Sequence, residues 1–265
     1  MKTTRRSAIL GSLAAATGVS AASQSLAGCT PADTLPDSAL TKVTVLGVIH
    51  RNHRSSIAYS LDVLREAVRQ VKPDVILTEI PPDRIEEAKR GFAETGEVTE
   101  PRARVFPEYT DVVFPLSREM DFELVGAAGW TQQIADERAA ALNTIENDPA
   151  RVSQWEEHQA ARADYSRAVS GRGDDPRFIH TPEYDVLVQR AQTPYQIYFD
   201  RDLGPGGWTK INAAHTDLIN SALDSVTGQG LNALVMFGAW HKYMIERSLA
   251  FRGDIELRDA LALFD

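Results

Sequence analysis

Apolar residues along this chain follow two rhythms. Unbroken runs at Val43-Thr44-Val45-Leu46, Val75-Ile76-Leu77, Phe122-Glu123-Leu124-Val125 and Ala233-Leu234-Val235-Met236-Phe237 are bounded by Gly, Pro or polar residues. Runs of that length and punctuation read as buried strands. Elsewhere the spacing changes to three and four. Ile57, Leu61, Leu64, Val68 and Val71 share one face of a 3.6-residue period. That predicts a helix from about Ile57, capped by Ser55 or Ser56 and stopped at Lys72-Pro73-Asp74. Further helices are predicted from the Ile80-Pro81-Pro82 turn to about Phe92, over Tyr109–Met120, and on both sides of Pro149 with Asp148 as a cap. Others start at Thr181-Pro182-Glu183 (interrupted at Pro194), cover Ile211–Val226, and follow His241. Ile255-Glu256-Leu257 is a candidate last strand.

A strand, a crossover helix and a second strand predict a parallel unit. The fold class is therefore α/β: a mixed, mainly parallel sheet flanked by helices over about 42–265, with an inserted helical region at about 130–209. In such a unit His50 and Glu79 lie just past the carboxyl ends of neighbouring strands, the edge at which open α/β sheets bind ligands.

The first residues break both rhythms. Arg5-Arg6 precedes a mild, uncharged stretch from Ser7 to Ala32 in which Ala, Gly, Ser and Thr dilute the large apolar residues. A basic start, weak hydrophobicity and small residues mark an export signal rather than a membrane span. The arginine pair resembles the twin-arginine signal, whose pathway exports folded proteins. Leu26-Ala27-Gly28-Cys29 resembles a bacterial lipobox, in which Cys29 becomes the lipid-bearing first residue. A Pro-, Asp- and Ser-bearing tether over 29–41 follows. The expected location is the cell envelope, facing the periplasm or the extracellular side, with the membrane held through Cys29.

Composition narrows the partners. Cys29 is the one cysteine in 265 residues, so no internal disulfide is available. Residues 1–28 hold Lys2, Arg5, Arg6 and no acid, which leaves 25 basic against 37 acidic side chains and a net charge of −12 in the mature part. So acidic a body argues against nucleic acid, which needs a basic face.

Two tetrapeptides share a form: Gly47-Val48-Ile49-His50 and Gly238-Ala239-Trp240-His241. Each follows an apolar run, and each Gly permits a sharp turn or close approach. Glu79 ends another strand, with Arg84 five residues on. Two imidazoles and a carboxylate over one sheet edge suit either of two jobs. They ligate a divalent metal that activates water, or one His serves as general base beside the carboxylate. His53 and His215 lie close enough in sequence to share that mouth. His158 and His180 read as surface or lid residues of the insert, and Lys242 and Tyr243 as contacts for an anionic substrate. Tyr184, Tyr195 and Tyr198 lie on one aromatic helix that reads as core or pocket wall.

These motifs, over Val43–Arg84 and Lys210–Leu257, resemble the TraB/Tiki superfamily, related to erythromycin-esterase-like and ChaN-like proteins. The resemblance implies a site built from His50, Glu79, Arg84, Asn212 and His241, within an α/β domain bearing a helical insert. Tiki proteins are metal-dependent peptidases, erythromycin esterases hydrolyse a lactone without metal, and ChaN is a haem-binding lipoprotein. The leading expectation is a lipid-anchored hydrolase of a peptide or small-molecule ester. His50, Glu79 and His241 would hold a divalent metal or activate water, and Arg84 would orient Glu79 or steady developing negative charge. The alternative is a haem-binding lipoprotein with Tyr184, Tyr195 and Tyr198 lining the pocket.

Overall fold

Five strands, β1 (Thr41–Val48), β2 (Val75–Thr78), β3 (Glu123–Gly126), β4 (Asn232–Gly238) and β5 (Ile255–Arg258), form one sheet in the order β3-β2-β4-β1-β5. The structure is a computed structural model and describes residues 35–265. The expected export signal, Cys29 and residues 30–34 of the expected tether lie outside the described residues. Every strand pairing is parallel, so the mixed sheet expected from the sequence is wholly parallel among the described residues. A second correction concerns neighbours. β4 enters between β1 and β2, with Val235 in register with Val45 on one side and Leu77 on the other. The chain leaves after β2, adds β3 and the insert, then returns to the middle of the sheet. No local pattern marks such a return.

Because strand side chains alternate, the sheet sorts its apolar residues onto two faces. Leu46, Val48, Ile76, Leu124, Leu234 and Met236 join one core with α1 (Leu61–Val71) and α2 (Pro82–Thr95). Val43, Val45, Leu77, Ala233, Val235 and Phe237 join the other, under the later helices at Trp208–Asp224 and Lys242–Leu249. A parallel sheet covered on both faces explains why its strands read as continuous apolar runs.

Helix α1 begins four residues later than its periodicity suggests. Ser60 is the cap, its side chain accepting from Val63 N, and Ile57 is 93% exposed. Ser56 is used elsewhere: its Oγ accepts from Tyr59 N and donates to Asp174, closing a turn ahead of the helix. The helix expected over Tyr109–Met120 is a π-helical turn (Glu108–Val113) running into α3 (Phe114–Leu116). The insert contributes α4 (Gln132–Glu146), α5 (Val152–Ala168), α6 (Pro176–Ile179) and α7 (Pro182–Phe199). Thr181 caps α7 as predicted, accepting from Tyr184 N, whereas Asp148 accepts from Ala150 N and caps a 3-10 turn (Pro149–Arg151) ahead of α5, which has no side-chain cap of its own. Pro194 does not interrupt α7. An interior Pro costs about 3 kcal/mol, and the burial of Val188, Ala191, Tyr195 and Phe199 on this helix outweighs it. The last two helices are α8 (Trp208–Asp224) and α9 (Lys242–Leu249). No helix among the described residues is long and apolar enough to cross a membrane.

β5 accompanies β1 only from Thr41 to Thr44. Beyond it, side chains take over the pairing. Gly47 N donates to His180 Nε2 at 3.0 Å, Tyr59 Oη donates to Gly47 O at 3.1 Å, and Ile49 N donates to His53 Nε2 at 3.0 Å. The remaining nitrogens donate to carbonyls, His180 Nδ1 to Pro176 O and His53 Nδ1 to Tyr59 O, both at 2.7 Å. His53 and His180 are therefore framework residues, 1% and 7% exposed, not the mouth and lid positions their sequence neighbourhood suggested. Burial holds each neutral, with a pKa of about 4 against the usual 6.5. Between 6.5 and about 4 the unfolded chain binds protons at these rings that the folded chain refuses, so acid favours unfolding in that window. The melting temperature should therefore fall as pH is lowered from 7 to 4.5, with a shallower slope in His180→Gln. Scanning calorimetry across that range checks it, and an unchanged slope in the variant contradicts the assignment.

Candidate active site

The carboxyl ends of β1, β2 and β4 meet at one point, and what makes room there is a missing side chain. A Cβ on Gly238 would stand 2.5 Å from His50 Nε2 and 3.4 Å from Glu79 Oε2. Gly47 does the same for the other motif, since a Cβ there would meet Ala239 Cα at 3.1 Å. The two Gly-x-x-His tetrapeptides thus interlock, each glycine admitting a residue of the other motif.

Glu79, 7% exposed, follows β2. Its Oε2 accepts from Gly238 N at 2.7 Å, and its own N–H donates to Tyr109 Oη, also at 2.7 Å. Tyr109 in turn donates to Met236 O. The carboxylate is thereby fixed between two imidazoles: His50 Nε2 lies 3.8 Å from Oε2 and His241 Nε2 lies 3.9 Å from Oε1. Both gaps are too long for a direct hydrogen bond.

Each imidazole is held from behind. His50 Nδ1 donates to Glu108 Oε1 at 2.6 Å. Its backbone is left-handed, with φ of 50°, a conformation that costs a non-Gly residue about 1–3 kcal/mol and collects at functional sites. His241 Nδ1 donates to Asn212 Oδ1 at 2.8 Å, and Asn212 Nδ2 donates to Trp208 O at 2.7 Å, which fixes which way the amide faces. Trp208, Asn212 and His215 share one face of α8 at i, i+4 and i+7. Trp208 stacks on His241 with centroids 4.7 Å apart and planes at 21°, while His215 meets it edge-on at 5.0 Å.

The two rings are driven to opposite states. Burial disfavours charge on His50, but the bonded Glu108 and nearby Glu79 outweigh it and raise its pKa to about 9. Burial dominates at His241; Glu79 opposes it, His215 and His50 add to it, and the pKa falls to about 3. At neutral pH His50 is an imidazolium. His241 is neutral, with its proton on Nδ1 and its lone pair on Nε2 turned to Glu79.

The structure thus gathers His50, Glu79, Asn212 and His241, and adds His215. Arg84 stands apart from Glu79: its guanidinium pairs with Asp83 at 3.2 Å on the half-exposed first turn of α2. Lys242 is 1% exposed and enclosed by Asp185 and Glu246, so it locks α9 to α7 rather than meeting a substrate. Tyr243 accepts from Trp208 Nε1 at 3.0 Å. His158 is buried within the insert. The three tyrosines expected around a planar ligand are not brought together. Tyr184 lines the cleft, Tyr195 accepts from Arg138, and Tyr198 donates to Glu157 on the surface. Two site residues carry no sequence signal of their own: Glu108, in a π-helical turn without apolar period, and Trp208, just after a glycine-rich loop.

Glu79, His215 and His241 each offer a ligand atom within 4.8 Å of the others, close enough to share a divalent ion. His241 is suitably deprotonated. His215 is not: Gly129 N donates to its Nδ1 at 2.8 Å, so the ring proton sits on Nε2, which is buried and unpartnered. His50 is outside this group. The bonds present therefore do not fit a three-ligand metal site.

The cleft above these residues has a volume of about 380 Å³, with Tyr165, Tyr184 and Trp240 forming its far wall. No family model, curated protein or solved structure matches this chain, so its likeness to the TraB/Tiki superfamily rests on the motifs themselves.

Removing the carboxylate behind His50 should let burial prevail. In Glu108→Gln the His50 pKa should drop from about 9 to below neutral, read from its ring-proton shifts by NMR titration. Gly238→Ala should fold with a loss of about 1–3 kcal/mol from overpacking and displace the His50 ring, visible in the same spectra. A titration unchanged in both variants contradicts the geometry.

Proposed function

We propose that this cleft hydrolyses the carbonyl of an ester or amide, with His241 as general base, Glu79 as the group that positions the attacking water, and His50 as general acid. One observation carries the reading: the two oxygens of a single fixed carboxylate face the Nε2 atoms of two different histidines at 3.8 and 3.9 Å, and each histidine is anchored through Nδ1. Those gaps suit a water bonded to Glu79 and His241 together. His241 Nε2 takes the water's proton as its oxygen attacks the carbonyl carbon. Glu79 offsets the charge that develops on the ring, and Asn212 holds the ring's orientation. His50 then gives its Nε2 proton to the departing oxygen or nitrogen. Opposed proton affinities on two rings around one carboxylate support this division of roles. The substrate class is a peptide or small-molecule ester of a size the cleft admits. Arg5-Arg6 and Cys29, read as an export and lipidation address, support assigning this activity to a lipid-anchored protein outside the cytoplasm.

General acid–base groups contribute about 10²–10⁴-fold in rate. With p-nitrophenyl acetate and a fluorogenic peptide as probes, His241→Ala and Glu79→Gln should lose about that factor in kcat while keeping the parent circular dichroism spectrum. The rate should fall above pH 9, where His50 gives up its proton. Chelation with EDTA should leave turnover intact. Turnover abolished by EDTA and restored by zinc would move the chemistry to an ion, and parent rates in both variants would overturn the reading.

A further inference from the structure

Beside Trp208 lies a second cavity of about 300 Å³, lined by residues of α4, α5, α7 and α8. Its lining is unlike the rest of this acidic chain. Arg138 and Arg162 both line it, together with Gln159 and Gln192, and no Asp or Glu does. Arg138 uses its Nε on Tyr195 Oη at 3.0 Å, and Arg162 lies over the Trp240 ring at 4.5 Å. Neither guanidinium is in an ion pair among the described residues. Gln192, 5% exposed, lines the cavity beside them. Arg138 is half-buried and Arg162 exposed, so both are open to a solute from outside. In a chain with 37 carboxylates to choose from, this grouping calls for an acceptor from outside.

We propose that this cavity binds a small anion, a carboxylate or phosphate group. The forks of Arg138 and Arg162 donate to its oxygens, and the Gln192 amide completes the bonding. Guanidinium groups match both oxyanions in geometry, and the volume lies at the lower end of small-molecule sites. Trp208 walls this cavity and stacks on His241 in the cleft. An occupant therefore bears on the ring that holds His241, yet the site does not depend on the chemistry assigned to the cleft.

The test uses the folded protein with inorganic phosphate and succinate as separate probes, reading melting temperature and tryptophan fluorescence. At least one probe should raise the melting temperature saturably and change the emission of the tryptophans at the cavity wall. Response to phosphate alone assigns a phosphoryl ligand, and response to succinate alone a carboxylate. The dissociation constant should rise about tenfold or more in Arg138→Gln and in Arg162→Gln, the loss of one charged hydrogen bond, and rise with added salt. Glu79→Gln should bind as the parent does, which separates this site from the hydrolytic reading. No response to either probe, or a response that survives in the Arg138→Gln/Arg162→Gln double variant, overturns the proposal.

Discussion

The contact on which the site depends is the 2.7 Å hydrogen bond from Gly238 N to Glu79. It ties the carboxylate of one strand end to the backbone of the next, and it needs a glycine at that point. With any side chain there, the carboxylate and His50 would be pushed apart. Because β4 lies between β1 and β2, this one amide stands at the midpoint of the constellation, with His50 on one flank and Glu79 on the other. His241 is three residues further along the same chain segment. A parallel sheet brings strand ends to a common edge, and here the glycine turns that proximity into contact.

The strands were legible because burial on both faces leaves an unbroken apolar run, and the helix cap at Thr181 because its chemistry is local. His50, Glu79 and His241 were legible for a related reason: each ends a strand, and strand ends in this class share an edge. Asn212 came from the resemblance, and the structure places its amide on His241. What stayed hidden depends on contacts far apart in sequence. Glu108 is 58 residues from His50, and nothing in Pro107-Glu108-Tyr109 distinguishes it from a surface acid. His53 and His180 looked like candidates for the mouth or the lid, because sequence cannot show that β5 stops at Arg258 and leaves the upper part of β1 unpaired. Lys242 follows the motif histidine and looked like a substrate contact, yet its ammonium is committed to Asp185.

α8 does more than cover the sheet. One of its faces delivers a stacking ring, an amide and an imidazole to His241, and Gly129 donates to that imidazole from the segment after β3. That segment must run close to the helix: a Cβ on Gly129 would come within 2.5 Å of Ala214. Residues 126–129 thus contribute through closeness of backbone rather than through a functional group. The buried Lys242–Asp185 pair fixes the insert to the core beside the site, so the cleft has one rigid wall from the sheet and another from α5 and α7. A buried pair of this kind is weak as a source of stability and costly to break from one side.

The side-chain completion of β1 also bears on how the molecule behaves in a crowd. Free amides and carbonyls on an outer strand are an invitation to a second polypeptide, and the route by which many β-rich proteins clump. Here Tyr59, His53 and His180 occupy those positions, and both outermost strands, β3 and β5, are only four residues long. A protein at high local concentration meets its own copies often, and this sheet offers them little to grip.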